Sequence, residues 1–156
     1  MKLSKNLSLG EFTRSQTAKR RGIDNTPKGE HLEAAKILAE KIFQPIREHF
    51  AKPIFISSGY RSQALNEAIG GSKTSQHSKG EAIDIDMDHR KGPENEDIFH
   101  YIRENLPFDQ LIWEFGDDKR PDWVHVSYNS NGKQRGQILA AKRNSKGKTY
   151  YENWSK

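Results

Sequence analysis

An α+β fold is predicted, with N-terminal helices packed on a mostly antiparallel sheet. Apolar residues at helical spacing dominate the first part of the chain, whereas strand-like alternation clusters from Ala82 onward. The length of 156 residues suits one compact domain with its own core, and no internal repeat or low-complexity linker divides it.

The elements follow in order. Ser8 and Glu11 have capping-box spacing, which predicts a helix from Leu9 to about Arg20. Asp24-Asn25-Thr26 reads as a turn, with Thr26 capping a second helix that has Pro27 at its first position. Leu32, Ala35, Leu38, Ala39, Ile42, Ile46 and Phe50 form its buried stripe, and Pro45 should kink or split it. Pro53 to Ser58 reads as a strand ending at Gly59. Ser62 to Ile69 reads as a short helix stopped by Gly70-Gly71, and Ser72 to Gly80 as a polar loop. Ala82 to Asp88 alternates apolar and acidic residues, as a strand with one face of each kind would. A helix over roughly Asn95 to Glu104 buries Ile98, Phe99 and Ile102. Leu111 to Phe115, Trp123 to Tyr128 and Gln137 to Ala141 complete the strands.

Charged residues make up 30% of the chain and apolar residues 33%, polar for a globular protein but outside the disordered range. The net charge of +5 is uneven. From Asn131 onward there are seven Lys or Arg and one acid, Glu152, which leaves 19 bases against 20 acids before it. The basic excess is therefore a C-terminal tail, read as a solvated end or as a dock for a polyanion. It is too local, and too lacking in recognition motifs, to make nucleic acid the expected partner. The N-terminus is basic but lacks an apolar stretch after it, so no signal peptide and no transmembrane segment are expected. With no cysteine, a metal would have to be held by His, Asp or Glu.

The segment Ser75 to Asp84 is the most informative. His77 lies on a polar loop, and Asp84 lies on the strand into which the loop leads. Gly80 lets the chain turn between them, and small Ala82 shares the Asp84 face. Alone, this pair reads as surface polarity. His125 sits in a strand whose other face is Val124 and Val126, and alone it reads as solvent-facing. Asp122, three residues earlier, is the carboxylate available as a general base. Residues three apart face opposite ways in a regular strand, so Asp122 reaches the His125 side only if the chain bends, for which Pro121 gives a reason.

Together these residues resemble the zinc-dependent D-Ala-D-Ala peptidases, the M15 group. The motif Ser-x-His-x-x-Gly-x-Ala-x-Asp is matched by Ser75, His77, Gly80, Ala82 and Asp84. The acid-x-x-His motif is matched by Asp122 and His125, with Asp where family members often carry Glu. Ser57-Ser58-Gly59-Tyr60-Arg61-Ser62 is similar to the Ser-Gly-Tyr-Arg-Ser stretch of the family, and the resemblance covers about Leu3 to Tyr128.

The resemblance implies Zn2+ held by His77, Asp84 and His125, with Asp122 as general base. It gives Arg61 a role at the developing oxyanion or at a substrate carboxylate. Without the motif, Arg61 reads as a surface ion-pair partner. Ser75 either binds the substrate backbone or orders its loop. The implied activity is hydrolysis of peptidoglycan stem peptides at or near D-alanine, by a carboxypeptidase or an L,D-endopeptidase of endolysin type. The expected organisation is a peptidase domain over 1–141, with 1–25 as its helical extension, and a basic tail over 142–156. The protein is expected to act as a monomer, cytoplasmic until a phage or prophage lysis step releases it to the wall, or virion-associated. The alternative is a non-catalytic wall-binding or virion-associated protein of the same fold, which would have no need for the acid. His31, His49, His89 and His100 read as ordinary helix or solvent residues, and Asp86 and Asp88 are left outside the ligand set.

Overall fold

The computed structural model describes residues 1–156. It is α+β, with a six-stranded, mostly antiparallel sheet. A small ribbon of β1 (Lys2–Ser4) and β2 (Leu7–Ser8) leads into α1 (Leu9–Thr13) and α2 (Gln16–Arg21). The Ser8–Glu11 capping box forms as expected. The single helix expected up to Arg20 is broken in two, because Ser15 caps a new start by accepting from the Ala18 amide.

The long helix begins later than Thr26-Pro27 suggests. Thr26 instead closes a turn on Asp24, and α3 (Glu30–Leu38) starts after Gly29. A π-helical turn, Ala39–Phe43, joins it to α4 (Gln44–Phe50). The extra residue in that turn accommodates Pro45, which has no N–H to continue an α-helical ladder. The expected stripe is buried: Ala35, Leu38, Ala39, Ile42 and Ile46 are at most 1% exposed, with Leu32 and Phe50 packed at the margin.

The main sheet contains β3 (Ile56–Ser58), β4 (Ala82–Ile85), β5 (Gln110–Glu114), β6 (Trp123–Ser127), β7 (Gln137–Arg143) and β8 (Thr149–Asn153). Their order is β3-β4-β6-β5-β7-β8, antiparallel except for the β5–β7 pair. Between β3 and β4 lie α5 (Gln63–Ala68), capped by Ser62, and a 3-10 turn over Gln76–Lys79. Between β4 and β5 lies α6 (Asn95–Asn105), which buries Ile98, Phe99 and Ile102.

Strand β8 departs from the sequence expectation. Residues read there as part of a solvated tail pair along β7, from Leu139↔Asn153 to Arg143↔Thr149. Every residue of β8 is exposed, so no burial pattern marks it in the sequence. Its signal is the β-favouring Thr149-Tyr150-Tyr151 run after a turn at Asn144–Gly147.

Alternation divides the sheet chemically. Ile83, Ile85, Leu111, Trp113, Val124 and Val126 face the helices and join one core with α1, α3, α4 and α6. The opposite face carries the intervening residues of β4, β6 and β5, and the polar site is built there.

Candidate metal centre

Asp84 on β4 lies directly opposite His125 on β6, and adjacent strands bring such partners close on one face. His77 reaches the same point from the 3-10 turn. One ligand atom from each of the three residues lies within 4.8 Å of the others, and all three residues are buried. The pairs are His77 Nε2 to Asp84 Oδ1 at 3.3 Å and His125 Nδ1 to the same oxygen at 3.0 Å. Burial pushes the Asp84 carboxyl up, but the two histidines outweigh it and hold it well below the usual carboxylate range.

The surrounding backbone explains the positions. His77 Nδ1 lies 2.7 Å from the Gly59 carbonyl, which can only accept. The ring proton is therefore on Nδ1, and Nε2 keeps its lone pair for a metal. Gly59 packs so tightly on α1 that a Cβ there would stand 2.2 Å from the Phe12 carbonyl oxygen. Gly80 has φ +76, and a Cβ on it would meet the His31 carbonyl oxygen at 2.4 Å. The turn between His77 and Asp84 therefore requires glycine twice over, for conformation and for space. Two nitrogens and a carboxylate oxygen in a buried cluster suit a borderline cation such as Zn2+.

The cluster opens on a cleft of about 720 Å³. Arg61 borders it, with Nε on Ser58 Oγ at 3.2 Å and Nη2 3.5 Å from Asp84 Oδ2. Ser75 also borders it, and its hydroxyl accepts from the His77 amide at 3.3 Å, so it orders the ligand loop. Asp86 and Asp88 stay out of the cluster, since the Asp86 carboxylate caps the Asp88 amide and accepts from Asn95. His31 bonds the Tyr60 hydroxyl, His49 stacks on Tyr101, His100 packs near Trp113, and His89 lies in an exposed turn.

Asp122 is not at the site. It is exposed, precedes β6, and borders a separate cavity of about 1080 Å³ beside the β7–β8 hairpin. Its backbone continues the β5–β6 pairing, the amide donating to the Glu114 carbonyl and the carbonyl accepting from Asn95. Strand parity prevails over the bend expected at Pro121.

The acid on the side of His77, Asp84 and His125 is Glu114, which the sequence reading does not single out. It pairs with Trp123 across β5–β6, two residues along from Ile112↔His125, and therefore shares the face of His125. Glu114 is 8% exposed and borders the cleft. Burial pushes its carboxyl up to about 7, the Asp84 charge adds to this, and His125 and Arg61 pull the other way. The signal was available: Leu111-Ile112-Trp113-Glu114-Phe115 is a β-favouring apolar run broken by one acid, and an acid inside such a strand has to be explained. Tyr151 of β8, though exposed overall, also borders the cleft, and partial desolvation there followed by the charges of Glu114 and Asp84 raises its hydroxyl pKa.

The peptidase M15 family model matches residues 5–127, about four-fifths of the chain. The chain belongs to the peptidase M15 family. It is thus a peptidase, with a group of side chains able to hold a metal. A comparison with curated proteins finds no match. No helix in this M15 peptidase is long and apolar enough to cross a membrane.

Proposed function

We propose that this M15 peptidase is a zinc enzyme that hydrolyses peptidoglycan stem peptides at or near D-alanine. The observation that carries the reading is the convergence of His77, Asp84 and His125 within 4.8 Å on a cleft whose wall also holds Glu114. Zn2+ held by those three residues supplies a Lewis acid that polarises the scissile carbonyl and makes the attacking water more acidic.

The chain's own groups do the rest. Glu114 accepts the proton of the attacking water and returns it to the leaving amine. Burial raises its carboxyl to about 7 in the zinc-free chain, and a bound cation would pull it back toward the ionised form that accepts a proton. Arg61 is held on one side by Ser58 and Asp84 and borders the cleft, where its unbonded donors would serve a substrate carboxylate or the developing oxyanion. Ile112, opposite His125 in register, and Leu139, beside Ile112, add apolar surface to the cleft wall.

The test is digestion of purified peptidoglycan by the zinc-loaded protein, with mass spectrometry of the released fragments. New peptide termini next to D-alanine, abolished by a chelator and restored by zinc, are expected. Binding to the wall without any new terminus would overturn the enzymatic reading in favour of a wall-binding protein.

A further inference from the structure

His125 can serve the cluster only through Nδ1, the ring nitrogen that lies 3.0 Å from Asp84 Oδ1. Its proton must then sit on Nε2. Asp84 works against this, because a carboxylate beside Nδ1 favours a proton there whenever the metal is absent. Something on the far side of the ring has to hold the other tautomer.

Nε2 of His125 lies 2.9 Å from Gln76 Oε1. A primary amide has one accepting and one donating end, and its orientation is set by its partners. The other end of Gln76, Nε2, lies 3.3 Å from Asp109 Oδ2. An ionised carboxylate only accepts, so the NH2 group must face Asp109 and the carbonyl oxygen must face His125.

Asp109 is itself fixed in the charged form. Arg135 reaches it with Nη2 at 2.9 Å on Oδ2, with Nε at 3.1 Å on Oδ1, and with its backbone amide at 3.0 Å on Oδ1. Burial pushes the Asp109 carboxyl up, but the Arg135 hydrogen bonds outweigh it and the net direction is down. Each link thus fixes the polarity of the next, from Arg135 to Asp109, to Gln76, to His125. The other metal-side histidine is oriented by a backbone carbonyl, whereas His125 depends wholly on this chain of side chains.

We propose that Gln76 is a positioning residue, polarised by the Asp109–Arg135 ion pair, that holds the His125 proton on Nε2 and presents a bare Nδ1 to the metal. The inference rests on the reading of His77, Asp84 and His125 as the metal site. It extends that site beyond the matched family region, since Arg135 follows residue 127.

The test uses the full chain and two readouts other than turnover. One is the zinc dissociation constant, by competition with a chelator. The other is the His125 Nε2–H signal in the zinc-loaded protein by nuclear magnetic resonance, with its protection from exchange. Q76L is expected to weaken zinc binding about 10- to 100-fold, the range for losing a partner of a ligating histidine, and to lose the protected Nε2–H. D109N frees the Gln76 amide to turn over and should weaken binding by less. In Q76E/D109N the new carboxylate accepts from His125 and takes a donor from position 109, so affinity should return to within a few-fold of wild type. Restoration by this pair separates polarity from packing. Wild-type zinc affinity in Q76L, or a loss that Q76E/D109N leaves unrepaired, would overturn the proposal. A wild type that takes up no zinc overturns the metal reading instead. The relay is then judged on the Nε2–H signal alone, protected in wild type and lost in Q76L if it holds, unprotected in both if it does not.

Discussion

Replacing Glu114 by Gln should stabilise the zinc-free protein at high pH and leave it unchanged at low pH. The Glu114 carboxyl is raised from an ordinary 4.5 to about 7, with burial as the largest cause. A raised carboxyl pKa means that the folded chain binds this proton more tightly than the unfolded chain does. The stability it contributes is therefore complete below about 4.5 and is lost as pH rises through about 7. An interval of about 2.5 pH units, at about 1.4 kcal/mol each, amounts to about 3.5 kcal/mol. Gln keeps the shape of the side chain and has no charge to bury, so it escapes this loss. Urea midpoints of the two zinc-free proteins should coincide near pH 4 and separate by 1 M or more above pH 8, given a typical slope of about 1–3 kcal/mol per M. Saturating zinc should narrow the separation, because a cation beside Glu114 favours its ionised form. A difference that is constant across pH would refute the reasoning, since it would place the effect in packing rather than in titration.

Four further outcomes follow from the site. Glu114→Gln should lower peptidase activity by about two orders of magnitude or more while zinc stays bound, whereas Asp122→Asn should remain near wild type; the reverse result in a kcat comparison would restore Asp122 as the base. His77→Ala should lose most bound zinc by elemental analysis together with activity, and full zinc content would remove it from the ligand set. Gly80→Ala should cost about 2 kcal/mol or more in chemical denaturation, from the positive φ and the approach to the His31 carbonyl, and a change under about 0.5 kcal/mol would contradict that geometry. If Arg61 reads a terminal carboxylate, the loss from Arg61→Lys and the loss from amidating the substrate should not add; additive losses in kcat/KM would favour endopeptidase cleavage within the stem.

The elements legible in the sequence were those whose stabilising contacts leave a periodic trace. The stripe from Leu32 to Phe50, the alternation of β4 and the apolar face of α6 all reappear in the core. Helix ends were read less well, because Ser15 and Thr26 are each competent to cap a helix or to close a turn. The choice depended on partners such as the Ala18 amide and Asp24. Strand β8 is not legible, because an exposed edge strand buries little and so leaves no hydrophobic pattern. At the site, His77, Asp84 and His125 come together as the motif implied. Motif spacing points to Asp122, whereas strand parity sets it on the face opposite His125. Glu114 belongs to no motif spacing, because its link to His125 runs across β5–β6 and not along the chain.

The same parity ties the site to the stability of the fold. Asp84 and His125 are 41 residues apart in sequence and meet only because β4 pairs with β6 in one register. A slip of β4 by one residue would send Ile83 and Ile85, both fully buried, out to the cleft and turn Asp84 into the apolar core. Both displacements are costly, one through lost apolar burial and the other through an unpaired buried charge. The register that brings the metal-side residues together is therefore enforced mainly by the opposite face of the sheet, which takes no part in the chemistry. Substitutions in Ile83, Ile85 or Val124 should on this account loosen the metal centre without touching it. Zinc affinity should fall in step with stability in an Ile85→Val, Ile85→Ala series. Affinity that stays constant while stability drops would mean that the loop carrying His77, and not the sheet register, holds the site together.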